Sequence, residues 1–172
     1  MREVLDYAEK AGLENLKFRL QNSETLAKEA STTLTILLAG IGGAMALAMK
    51  GFEQHLPIPS AVTIGVTGLS IWLMFVAGLL VVFCMLSMDL PVPTNEPLNL
   101  YQPDFDLDAL RAVELRNLDQ RIKQTTARNH RVAVWLDRVR LLAIASPMVF
   151  SIISLVWVGL APDLAVLVPA GG

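Results

Sequence analysis

Charge is what this chain lacks most conspicuously, in three long stretches. No charged residue occurs between Glu29 and Lys50, between His55 and Asp89, or between Arg140 and Asp163. Cysteine is nearly absent as well. Cys84 is the only one, so no intrachain disulfide can form, and its place inside the second uncharged stretch suits a small apolar side chain. There is no glycine-rich phosphate loop, no Ser/His/Asp set and no pair of cysteines. The polar segments show no apolar/polar alternation that would build strands, so a catalytic α/β domain is not expected. Neither is a cofactor, a metal or any catalytic residue. Internal repeats and low-complexity tracts are missing too.

The uncharged stretches hold 20, 33 and 22 residues. A helix rises ~1.5 Å per residue, so ~20 residues cross the ~30 Å hydrocarbon core of a bilayer. With 53% hydrophobic residues and a mean hydropathy of +0.51, the composition agrees. The reading is an all-α membrane protein with three transmembrane helices. Its segments are a cytoplasmic amphipathic helix (1–29), a first span (30–49), an external loop (50–60) and a second span (61–88). A cytoplasmic linker and basic helix (89–140), a third span (141–160) and an external tail (161–172) follow. Residues 1–29 begin with a charged stretch, not an apolar signal core, so the first span is expected to act as an uncleaved signal-anchor.

Lys and Arg orient these spans. Five precede the first span, only Lys50 follows it, eight lie between the second and third, and none follows the third. The excess of basic residues marks the cytoplasmic side, which predicts the N-terminus inside and the C-terminus outside. On this topology His55 and His130 face opposite compartments, which rules out a shared metal site in one chain.

Residues 1–29 carry an interrupted apolar stripe, Leu5, Leu13, Leu16, Leu20 and Leu26–Ala27. They form either one helix with the first span or two pieces meeting near Asn22–Ser23, where Ser23 would cap the second. Prolines 91, 93, 97 and 103 impose extended backbone until acidic residues 104–108 start a new helix. Leu115, Ile122, Asn129 and Leu136 then repeat every seven residues, as do Leu118, Thr125, Val132 and Val139. That is a coiled-coil-like seam in which Asn129 and Thr125 would fix oligomer register. Pairing between subunits and pairing with residues 1–29 of the same chain are both open. The helix continues into the third span, where Pro147 predicts a kink.

From Arg116 to Arg140 seven basic residues face two acids, Asp119 and Asp137. Arg121, Lys123, Arg128, His130 and Arg131 form the candidate surface for an anionic ligand such as a nucleotide or short oligonucleotide. Contact with anionic lipid headgroups, or pairing with Glu9, Glu14 and Glu114 of another subunit, explains the same charge.

In the first span, Ala39/Gly43 and Gly42/Ala46 are small-xxx-small pairs suited to close helix contact. Thr32 and Thr35, with Thr63, Thr67 and Ser70 on the second span, are candidate pore-lining hydroxyls. Bonding to their own helix backbone is the other use for them. No span holds a carboxylate, histidine, lysine or arginine, which argues against a proton-coupled transporter. The second span is overlong at ~42 Å. It should tilt, project beyond the bilayer, or kink near Gly65–Gly68 or Gly78. Trp72 is expected to pack rather than anchor at an interface.

The charged first helix, small-residue first span and long second span continue into the linker "PVPTNEPLNLYQP" and the run "RNLDQRIKQTTARNHRVAVWLDRVR", which enters the third span directly. This layout resembles the small membrane effectors encoded in bacterial anti-phage defence operons, the membrane effector of the Hailong system among them. The resemblance implies a homo-oligomeric, tetrameric ion channel of the bacterial inner membrane. It would depolarise an infected cell under control of a nucleotide or single-stranded DNA signal from a partner nucleotidyltransferase. A membrane anchor that recruits a partner through its coiled coil, or a holin-like lysis protein, are the alternatives.

Overall fold

The computed structural model describes residues 2–53, 59–86, 104 and 106–167. The proline-rich linker, His55 and the end of the tail lie outside these. The described residues are helical almost throughout, with no strand among them. Helix α1 is Arg2–Phe52, α2 is Ala61–Leu80 followed by a π-helical turn at Val81–Met85, α3 is Leu107–Ile144 and α4 is Ser146–Leu167. Two of these, α1 and the α2–π segment, are long and apolar enough to cross a membrane. A third span results if α3 and α4, bent by 42° at their junction, count as one. The chain is a helical protein with two to three candidate membrane-spanning segments.

The contacts divide into two units. One comprises Met1–Glu29 and Leu86–Val134, the other Ala30–Met85 and Trp135–Gly172.

In the first unit the beginning of α1 lies alongside α3. Arg111 grips Glu9 with both Nε and Nη2, at 2.9 and 2.7 Å, and reaches Asp6 as well. A Cβ on Gly12 would strike Leu118 at 2.6 Å, and Ser23 meets Asn129. These pairs advance together along both helices, so the two run parallel. The α1 side of the seam is a heptad that apolar counting misses: Glu9, Leu16 and Ser23, with Leu16 1% exposed. By contrast Leu13, part of the expected stripe, is 47% exposed. Helix α1 is unbroken at residues 22–23. Ser23 caps nothing and sits mid-helix against α3.

Arg111 continues the Leu118–Thr125–Val132 series by one heptad toward the N-terminus. The hydrogen bonds it donates to Glu9, then to Asp6, push its pKa above the usual guanidinium value, and it stays charged throughout the accessible range. Arg111→Ala is expected to lower the melting temperature of the full-length protein modestly at low salt. The difference should shrink in high salt, because the pair is solvent-accessible.

In the second unit small residues let α1 approach α2. Gly40 meets Leu73, Ala44 and Ala48 pack with Val66, and Gly51 abuts Thr63. This line, 40–44–48–51, lies beside the pairs singled out in the sequence. Gly42 and Gly43 have nothing within 4 Å, and Ala39 and Ala46 are exposed. Helices α2 and α4 pack through Gly65, which touches Phe150 and Ser154, and Gly68, which touches Ile153. These two glycines are therefore packing positions and not kinks. The irregularity comes just after Gly78, where the Val81 amide is shared between Ala77 O and Gly78 O and the π-helical turn begins.

The bend between α3 and α4 has a plain cause. Pro147 has no N–H to donate to the carbonyl four residues back, and its ring crowds that carbonyl. The helix restarts with Met148 and Val149 donating to Ala145 O at 3.0 and 3.2 Å. Trp72 packs near Phe75 and donates its indole N–H to Leu142 O at 3.3 Å, just before the break. Near the other end of α4, Trp157 donates to Pro59 O at 2.9 Å.

Candidate functional site

Since residues 107–144 form one helix, each seam or basic residue takes a fixed angular place at about 100° per residue. Leu118, Thr125, Asn129 and Val132 face inward in the first unit, and Leu136 and Val139 are buried in the second. Asn129 donates through Nδ2 to Arg19 O at 2.9 Å and accepts from Ser23 Oγ at 2.6 Å. Ser23 Oγ also lies 3.1 Å from Arg19 O, so three polar groups close a small network inside the seam. Thr125, fully buried, donates to Arg121 O of its own helix. The register that Asn129 sets here is that of α3 against α1 of the same chain, one of the two pairings the sequence allowed. A seam filled in this way leaves no free coiled-coil face at Asn129 for another subunit. Ser23→Ala and Asn129→Ala should each destabilise by about 1–3 kcal/mol. Their double mutant should cost less than the sum, with a coupling of about 0.5–3 kcal/mol in denaturant titration. Strict additivity would mean that the pair is not formed.

The five candidate anion-binding residues do not share one surface. Arg121 and Arg128 lie on one flank of α3, while Lys123 and His130 lie about 200° away and Arg131 near the back. Arg121 is held by Glu114 at 3.1 Å, one of the acids expected to pair across subunits but found on the same helix. Lys123 pairs with Asp119 at 2.7 Å, an exposed i,i+4 pair of small energetic weight. His130 and Arg131 are exposed. Arg128 differs, for its Nε is buried with no hydrogen-bond partner.

The pore candidates separate in the same way. Thr63 is 4% exposed, donates its backbone N–H to Ser60 Oγ at the start of α2, and abuts Gly51. Ser70 is 6% exposed and donates to Val66 O, and Thr67 donates to Thr63 O. The α2 hydroxyls serve their own backbone and the packing of the unit. Thr32 and Thr35 are exposed, with Thr35 donating to Ser31 O. Around Trp135 an unforeseen cluster appears. Phe83 stacks on its ring at 3.9 Å between centroids and 5° between planes, and the Arg138 guanidinium lies 4.9 Å from its centroid. The i, i+3 spacing of Trp135 and Arg138 was the available signal for half of it; the Phe83 contact is long-range and left none. Cys84 is buried beside Phe83 on the π-helical turn, and it is not in a disulfide. Among the described residues no group of histidine, cysteine and carboxylate side chains could hold a metal ion. No protein-family model matches the chain, and no curated protein or solved structure does either.

Proposed function

We propose that the chain is a non-catalytic, pore-forming subunit of a homo-oligomer, a tetramer by preference, in the bacterial inner membrane. Its opening depolarises the cell in anti-phage defence. A nucleotide or short single-stranded DNA, supplied by a partner nucleotidyltransferase, gates it through α3. One observation carries the pore: Thr32, Thr35, Ala39, Gly42 and Ala46, spaced alternately by three and four, are all exposed on α1. Small and hydroxyl side chains suit a neighbouring helix or a narrow aqueous path better than they suit lipid. Thr63 and Ser70 are enclosed within the chain, so the path runs between copies and is lined from α1.

The parallel pairing of α1 and α3 supports a topology with both polar segments on one side. The tally of 13 basic residues against 1 makes that side the cytoplasm. Arg128, with its uncommitted Nε, is the candidate ligand residue to begin with. Induced expression with a potential-sensitive dye should report depolarisation, and an anchor protein would report none. Gly42→Leu, which has open space around it, should abolish depolarisation while leaving membrane insertion intact. Arg128→Glu should remove ligand control; an unchanged ligand response would remove α3 from the gate.

A further inference from the structure

Within the second unit α1, α2 and α4 enclose a groove of about 430 Å³, inside the range of small-ligand pockets. Its floor is Ala44, Val66, Leu73 and Ser146, each 6–9% exposed, and its rim includes Leu47, 62% exposed, and the exposed Pro147. The lining is carbon nearly throughout, with Ser146 as its one hydroxyl-bearing residue. The Ser146 Oγ is buried and has no hydrogen-bond partner. The carbonyl such a hydroxyl ordinarily takes, four residues back at Leu142, instead receives the Trp72 indole.

We propose that this groove holds one acyl chain of a membrane glycerolipid, whose ester carbonyl accepts a hydrogen bond from Ser146. Three features select this occupant. From Gly40 to Leu47 the groove runs about 10 Å along α1, a length an acyl chain follows and a compact polar ligand does not. Carbon lining offers such a chain the surroundings it leaves in the bilayer, and Ser146 supplies the single unsatisfied donor along it. Finally, the walls belong to the segments apolar enough to lie in a membrane, where lipid is the most abundant neighbour. An empty groove of this size would forfeit packing along all three helices. The occupant thus completes the contact of α1 with the α2–α4 pair at the 42° bend.

The inference rests on the membrane reading, and its test separates the two. The full-length protein is reconstituted into phosphatidylethanolamine/phosphatidylglycerol vesicles containing a phosphatidylethanolamine with a photoactivatable acyl chain. Vesicle flotation is checked first, then irradiation is followed by mapping of the labelled peptides. Labelling at Ala44, Leu47 and Leu73 should exceed that at Ile152 and Leu155 several-fold, although those two are 50% and 70% exposed. Ala44→Leu, which fills the floor, and Ser146→Ala, which removes only the donor, should each lower groove labelling several-fold. Ser151→Ala should leave it unchanged. Labelling that simply follows exposure overturns the proposal. So does a disulfide between copies through Leu47→Cys in a Cys84→Ser background, which would show a second chain in the groove. A protein that fails to float overturns the membrane reading and the groove together, whereas a floating protein labelled unselectively overturns the groove alone.

Discussion

Gly65→Leu is expected to disassemble the contact between α2 and α4 and to reduce the yield of monodisperse protein several-fold. At Gly65 even a Cβ would collide with Ser154 and lie 2.9 Å from the Phe150 ring. Neither neighbour is the free end of a long flexible chain, since Phe150 is itself packed against the Ala44–Ala48–Val66 cluster. Gly65→Ala alone should therefore cost about 1–3 kcal/mol, the usual range for overpacking. The larger residue forces the helices apart. Gly68→Leu should behave similarly through Ile153. Gly42→Leu and Gly43→Leu are the internal controls. With nothing within 4 Å of either Cβ position, both should leave the thermal stability of a single chain unchanged or slightly raised, by removing glycine from a helix interior. Equal damage at positions 42 and 65 would mean that the α2–α4 packing is not as described.

Leu16→Ala is the second large effect. Leu16 is the apolar centre of the α1 seam, flanked one heptad away on either side by Glu9 and Ser23, which face polar partners on α3. It is 1% exposed, so truncation removes buried methyl groups and leaves a cavity between two long helices, at about 2–5 kcal/mol. Leu13→Ala, three residues away but half exposed, should cost well under half as much. Thermal unfolding followed by circular dichroism separates the two. Comparable losses at 13 and 16 would restore the stripe read from leucine spacing alone.

That contrast shows what was legible in the sequence. Helices and candidate spans followed from uncharged length, a bulk property that needs no partner information. The α3 seam was also legible, because all eight of its residues are buried or half-buried in the expected heptad phase, Leu136 and Val139 among the most enclosed. Its partner was not. The α1 side uses Glu9, Gly12 and Ser23, residues that carry no apolar signal and acquire meaning only opposite Arg111, Leu118 and Asn129. Small residues on the first span posed a related difficulty. Gly40, Ala44 and Ala48 repeat as regularly as Ala39 and Gly43, and composition cannot tell which face meets α2. The basic surface scattered because charge was counted along the chain, whereas helix geometry sets Lys123 and Arg121 on opposite flanks. The hydroxyls of α2 were legible as a stripe but not as backbone partners, since the same Thr and Ser spacing serves either purpose.

On the proposed topology the polypeptide crosses a bilayer three times, with residues 1–29 and the basic part of α3 on the cytoplasmic side. Single cysteines at Lys10, Gln124 and Gln54, in a Cys84→Ser background, test it most directly through a membrane-impermeant maleimide applied to intact spheroplasts. The account predicts labelling at position 54 only, with 10 and 124 reacting after the membrane is opened. Labelling of 10 or 124 in intact spheroplasts, or recovery of the protein in the soluble fraction without detergent, would contradict it.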